Sequence, residues 1–298
     1  MMNPKYPIYI ISKGRWTSDC RLTAKSLEDI KVPYFITVEE QEYENYLNAT
    51  NPEFGTVLIL DKKFQDEYDT CDDLGSTKSK GPGAARNFCW DHAIKNGHKR
   101  HWVMDDNMVG FFRLNHNIRV KVSTGKMFRA AEDFVDRFTN VPISGLNYRF
   151  LATPTEYRPP FVKNTRIYSC LLIENDIPYR WRGRYNEDTD LSLRVLKDGL
   201  CTIQFNAFLC GKVGTQQVKG GNTEAFYAHE GTMAKSQMQV YLHPDVSKLL
   251  FRFNRWHHYV DYSSFKNNML IRRPDLILST EINNYDMKLI TKEKNATL

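Results

Sequence analysis

The sequence predicts an α/β fold built on a mostly parallel central sheet, and three observations carry that prediction. Short β-rich runs at residues 7–11, 34–38, 56–60 and 101–104 alternate with segments of helical period. The fourth run stops abruptly in acid, at Asp105-Asp106, which is where an open α/β sheet builds its ligand cleft. The chain has 298 residues, 41% of them hydrophobic, enough apolar material for a substantial core.

Each element follows from a local signal. After the first run, the polar turn Ser12-Lys13-Gly14-Arg15 leads to a helix with Cys20, Ala24 and Leu27 on one face. Residues 39–47 read as a short helix between the second and third strands. The polar stretch 61–83, with Gly75, Gly81, Pro82 and Gly83, has the length of a functional loop. Residues 84–96 form a helix with Ala85, Cys89 and Ala93 on one stripe, stopped by Gly97. Beyond Asp106 the pattern is less regular. Phe128, Ala131, Val135 and Phe138 mark a helix, and 146–173 reads as a β segment broken by prolines. A helix over 189–197 is closed by Gly199, and 201–210 is strand-like. Near Pro244 the chain turns basic and aromatic, so the expected division is a main domain over 1–244 and a helical basic/aromatic C-terminal extension over 245–298.

Composition sets limits. With 26% charged residues the chain is an ordinary globular protein and not a disordered one. No apolar run approaches the roughly eighteen residues a membrane span needs, and the first six residues lack the apolar core of a signal peptide. A cytoplasmic location is the expectation. The six cysteines, with no CxxC pair, read as reduced thiols. A net charge of +6 permits a polyanionic partner without demanding one.

Three motifs carry chemistry. Asp105-Asp106-Asn107 places oxygen ligands at a strand end, where Mg²⁺ or Mn²⁺ could bridge phosphates; a plain polar cap is the alternative. Glu187-Asp188-Thr189-Asp190 brings three acids to a helix start, which suits the positive helix end and also suits a general base aimed into a cleft. Gly81-Pro82-Gly83-Ala84-Ala85-Arg86-Asn87 opens a helix with a guanidinium in its first turn, an anion-attracting arrangement that is neither a P-loop nor GxGxxG. His229, after Gly220-Gly221-Asn222, gains meaning only as a further ligand to an oxygen-rich site.

In this order the motifs resemble a glycosyltransferase of the GT-A fold, with Asp105-Asp106-Asn107 similar to its DxD motif and Asn186-Glu187-Asp188 to its acceptor-side acidic motif. Tyr6 to Arg15, Val32-Pro33-Tyr34-Phe35, Ala85-Arg86-Asn87 and Trp102 to Asn107 resemble the TET-associated glycosyltransferases, largely phage enzymes associated with sugar transfer onto hydroxymethylated pyrimidines in DNA. The resemblance covers about residues 6–235 and implies a Rossmann-like nucleotide-sugar-binding domain. It implies a nucleotide-sugar donor, expected as a UDP-sugar, held by Ser12, Lys13, Arg15, Arg86, Asn87, Asp105 and Asp106. It further implies a Mn²⁺ or Mg²⁺ ion at Asp105, Asn107 and His229, although Asn107 puts a neutral amide where the motif has its last acid. Asp188 is then the base, with Glu187 holding acceptor hydroxyls, and the transfer inverts the anomeric carbon. If phage-encoded, the enzyme works in the host cytoplasm.

The acceptor has a physical argument of its own. Between 248 and 273 six Lys/Arg stand against one acid, interleaved with aromatics. Arg252, Arg255, Trp256, Lys266, Arg272 and Arg273 are the candidate DNA contacts, through phosphates and base stacking. A tail that packs these aromatics on the core is the alternative; it is the resemblance that implies the particular partner, DNA carrying a hydroxymethylated pyrimidine, 5-hydroxymethylcytosine foremost. The rivals are a glycan, lipid or protein acceptor with a structural tail, a metal-dependent nuclease or phosphohydrolase built on the same carboxylates, and a non-catalytic nucleic-acid-binding module. No motif names the sugar or the oligomeric state.

Overall fold

The computed structural model describes residues 3–73, 80–153, 155, 157–213, 232–277 and 281–282. The expected alternation opens the chain: β1 (Ile8–Ile11), α1 (Leu22–Asp29), β2 (Tyr34–Val38), α2 (Tyr43–Ala49), β3 (Gly55–Ile59), α3 (Lys62–Asp66), α4 (Gly83–Lys95) and β4 (Arg100–Asp105). Then follow β5 (Met108–Asn115), β6 (Ile118–Lys121), α5 (Lys126–Val135), β7 (Ile143–Tyr148), β8 (Phe161–Lys163), β9 (Cys170–Glu174), α6 (Glu187–Lys197) and β10 (Thr202–Lys212). The chain continues with α7 (Met233–Leu242), β11 (Ser247–Arg252) and β12 (Arg255–Val260).

Strands β1 to β10 form one sheet in the order β3-β2-β1-β4-β9-β7-β10-β5-β6, with β8 also on β10. Strands β1 to β4 are mutually parallel, and β7 and β10 also pair in parallel. Antiparallel pairing sets β9, β8 and β5 against this direction, and β6 returns to it. The sheet is thus mixed, with most strands pointing the same way. Alternate residues of one strand serve different cores. Ile8 and Ile10 pack with Leu27, Trp102 and Phe128 on one face, Tyr9 and Ile11 with Trp90, Val103 and Leu171 on the other. Burial on both faces is why these strands read as continuous apolar runs.

Two expectations need correction. The loop over 61–83 holds a helix, α3, capped by Asp61, whose Oδ1 accepts the Lys63 N–H at 3.0 Å. Among its described residues, the C-terminal extension is a β-hairpin followed by one short 3-10 turn (Ser263–Phe265), and not the expected helix. Phe253 and Asn254, at φ 52° and 56°, make the two-residue left-handed turn that closes the hairpin, and Phe251 faces Trp256 across the strands with ring centroids 5.2 Å apart. Aromatics suit a pleated surface, and a turn at an Asn matches the one at His116-Asn117 between β5 and β6. The extension is tied to the main domain: Val246, Val260 and Phe265 bury against Leu193 and Leu196 of α6. No helix among the described residues is long and apolar enough to cross a membrane.

Candidate active site

The carboxyl ends of β1 and β4 and the first turns of α4 and α6 converge on a cleft of about 550 Å³. Ser12, Lys13, Arg15, Arg86, Asp105, Asp106, Asn107, Glu187 and Asp188 all line it. Parallel register explains half of this placement. Ile11 pairs with Asp105, so the turn after β1 and the acids after β4 lie side by side. Ser12 Oγ donates to Asp106 at 2.7 Å, and the Arg15 guanidinium pairs with the same carboxylate.

Arg86 joins the two acidic clusters. Its Nη2 lies 2.8 Å from Asp105 and its Nη1 2.9 Å from Glu187, with the guanidinium stacked 4.6 Å from the Trp181 ring centroid. Gly81 delivers the chain into α4 at φ +82°, where a Cβ would stand 2.7 Å from the Arg184 carbonyl oxygen. Asn87 does not line the cleft. Its amide exchanges two hydrogen bonds of 2.9 Å with the backbone of Trp181, so it fixes the aromatic platform beneath Arg86.

Glu187, Asp188 and Asp190 begin α6. Asn186 enters the helix at φ 55° and donates to the Lys235 carbonyl at 2.7 Å. Asp188 is not the N-cap; it stands in the first turn, with its Oδ1 accepting the Thr189 N–H at 2.8 Å. Burial pushes the Glu187 carboxyl up to about 7 against the pull of Arg86, and burial also raises Asp188. Asp190 turns away into a buried cluster with Arg182, Arg194 and His243.

Several site residues lay outside the sequence reading. Lys212, at the end of β10, reaches Asp105 at 2.8 Å and Ser169 Oγ at 2.6 Å. Its signal was a cation at a strand end, the same rule that identified Asp105. Lys212 and Arg86 outweigh burial and hold the Asp105 carboxyl well below the usual range. His258 of β12 and Lys235 of α7 complete the wall, so the C-terminal hairpin is part of the cleft. Burial, with Lys235 and Arg166 nearby, lowers His258 to about 4 and keeps it neutral.

The described residues do not fit a resident divalent cation. Asp105, Asp106 and Glu187 are each gripped by a buried cation. The Asn107 amide oxygen is buried without a hydrogen-bond partner, but it is one neutral ligand where Mg²⁺ wants about six oxygens. Among the described residues no group of three His, Cys, Asp or Glu is arranged to hold a metal. His229 lies outside the described residues.

The proposed DNA contacts divide between two places. Arg252, Arg255 and the exposed Trp256 lie toward the tip of the hairpin whose His258 lines the cleft. Lys266, Arg272 and Arg273 do not join it. Asn164 donates to the Phe265 carbonyl, Ile271 is bonded to Thr139 and Asn140, and Arg272 bridges Phe138, all at the sheet end opposite Asp105. Arg273 is also paired with Asp275.

No curated protein matches the chain. Among solved structures, it is similar to mannose-1-phosphate geranyltransferase from Thermus thermophilus, at 11% identity and a TM-score of 0.31, over 70% of this chain and 57% of that one. Residues 6–221 match the TET-Associated Glycosyltransferase family, a span that takes in β1, the acids after β4 and the acidic start of α6. The chain belongs to the TET-associated glycosyltransferases.

Proposed function

We propose that the protein transfers a sugar from a nucleotide-sugar donor, a UDP-sugar, to the hydroxyl of a 5-hydroxymethylpyrimidine in DNA, with 5-hydroxymethylcytosine the expected base. The observation that carries this reading is that Asp105 and Asp188, from distant parts of the chain, line one cleft, with Arg86 bridging Asp105 to Glu187, the neighbour of Asp188. The nucleotide lies along the turn after β1, and the acceptor enters past His258 and the hairpin tip. Aromatics at Phe251, Phe253 and Trp256, all exposed, suit stacking on a base displaced from its duplex.

In the reaction, Asp188 takes the proton of the hydroxymethyl group. The freed oxygen attacks the anomeric carbon from the face opposite the diphosphate. The bond from that carbon to the phosphate oxygen breaks, and the nucleoside diphosphate leaves with the electron pair. Such an in-line displacement inverts the sugar. A nuclease reading finds less support, because Asp105, Asp106 and Glu187 are already neutralised by protein cations.

The test is to incubate the protein with a panel of nucleotide sugars and DNA containing 5-hydroxymethylcytosine or 5-hydroxymethyluracil. A hexose or pentose mass gain on the nucleoside is expected. Donor hydrolysis that leaves the DNA unmodified would point to another acceptor, and DNA cleavage would point to a nuclease. The pH profile gives a second check. The base acts deprotonated, so kcat/KM is high above the apparent pKa of the Glu187/Asp188 pair and falls as pH drops through it. Burial raises both carboxyls, so the acid limb is expected above the ordinary carboxylate value of about 4. A limb at or below that value argues against a buried base.

A further inference from the structure

We propose that this cleft meets the leaving diphosphate with fixed protein cations, Lys212 and Arg86 foremost, in place of a bridging divalent ion. The inference rests on the donor half of the reading above and is independent of the acceptor.

The charge arrangement around the strand-end acids supports it. Both oxygens of Asp105 are engaged, Oδ1 by Arg86 and Oδ2 by Lys212, each at 2.8 Å. Asp106 is held by Arg15 and Ser12, and Glu187 by Arg86. Three carboxylates are thus matched by three cations whose side chains are 4% to 13% exposed. A divalent ion bound to Asp105 would sit beside two positive groups at close range, where like charges repel strongly in a poorly solvated site. A diphosphate finds the opposite situation. Seven basic side chains line the cleft against five carboxylates, and one of the seven, Arg184, is paired with Asp72 outside the lining, so six cations face the five acids.

The cations also have donors to offer. Lys212 carries three N–H groups and spends two of them, on Asp105 and Ser169. Arg86 Nε is buried with no hydrogen-bond partner. Both groups are positioned in advance. Ser169 sits at φ 58°, a strained conformation for a residue with a side chain, and its hydroxyl is fixed between Lys212 and the Tyr148 hydroxyl at 2.6 and 2.7 Å. Arg86 rests on Trp181, which Asn87 pins in place. As the bond to the anomeric carbon breaks, the electron pair passes to the terminal phosphate oxygen. Lys212 and Arg86 remain protonated and supply the compensating charge, as preorganised cations do in phosphoryl sites.

The experiment is calorimetric titration of the full chain with UDP, GDP, ADP and CDP, each in excess EDTA and in saturating Mn²⁺. At least one diphosphate is expected to bind equally well in the two buffers. Lys212→Met is expected to weaken that binding by about tenfold or more in EDTA, and Lys212→Arg to keep most of it. Binding that needs Mn²⁺ overturns the proposal on the wild-type protein alone, whatever the variants do. Unchanged affinity in Lys212→Met removes Lys212 from the site. Absence of diphosphate binding in both buffers overturns the donor reading itself, an outcome separate from a metal requirement.

Discussion

Asp188→Asn is expected to reduce kcat for sugar transfer by about 10²- to 10⁴-fold, the range a positioned general base contributes, with nucleotide affinity little changed. The substitution keeps the size of the side chain and an oxygen to accept the Thr189 N–H that Asp188 now holds at 2.8 Å. It removes only the capacity to take a proton. Glu187 is a poor substitute base because its Oε1 is committed to Arg86 at 2.9 Å, whereas Asp188 forms no salt bridge among the described residues. Parallel measurement of transfer and of diphosphate binding separates loss of chemistry from loss of the donor site. Wild-type transfer by Asp188→Asn would remove the assigned base.

Arg86→Met is expected to cost about 3–5 kcal/mol of stability, the penalty for stripping a buried charge of its partner, and to lower Tm by something on the order of 10 °C. Arg86 is 3% exposed and holds carboxylates from β4 and α6 at once. Without it, Asp105 keeps Lys212, but Glu187 is left buried beside Asp188 with no cation bonded to it. Arg86→Lys restores a charge but not the planar fork that spans both acids, so it should recover only part of the loss. Thermal melts of the two variants beside wild type provide the check. A Tm within about a degree for Arg86→Met would mean that the guanidinium contributes no more than an exposed ion pair does.

The legible parts of this protein were those with local causes. The runs that became β1, β2, β3 and β4 declared themselves by composition and by the helical segments between them, and α4 by its periodicity and its Gly97 stop. Asp105 and Asp106 were visible because a strand that ends in acid is a short-range pattern. Asp188 was visible because acids gather at a helix start. The C-terminal hairpin was missed for the complementary reason. Its strands expose aromatics, with Phe251 57% accessible and Trp256 37%, so no clean alternation of buried and solvated positions announces them. Its turn depends on left-handed conformations at Phe253 and Asn254, and phenylalanine rarely marks such a turn. Asn87 shows the limit from the other side. Its place in the first turn of α4, beside an arginine, suggested a donor contact, but only the fold shows Trp181 within reach of its amide.

The sequence by itself determined the strand-helix alternation, the acids at the end of β4 and the acids opening α6, because backbone periodicity and helix-end electrostatics act over a few residues. Tertiary structure decided which charges meet. Lys212 reaches Asp105 across 107 positions of chain, and Arg86 reaches Glu187 across 101. Pairing at that separation is set by strand order and register, with β10 beside β7 and β4 between β1 and β9. A carboxylate in the sequence is equally a metal ligand, a base or half of an ion pair, and the cation the fold places against it determines which role remains open.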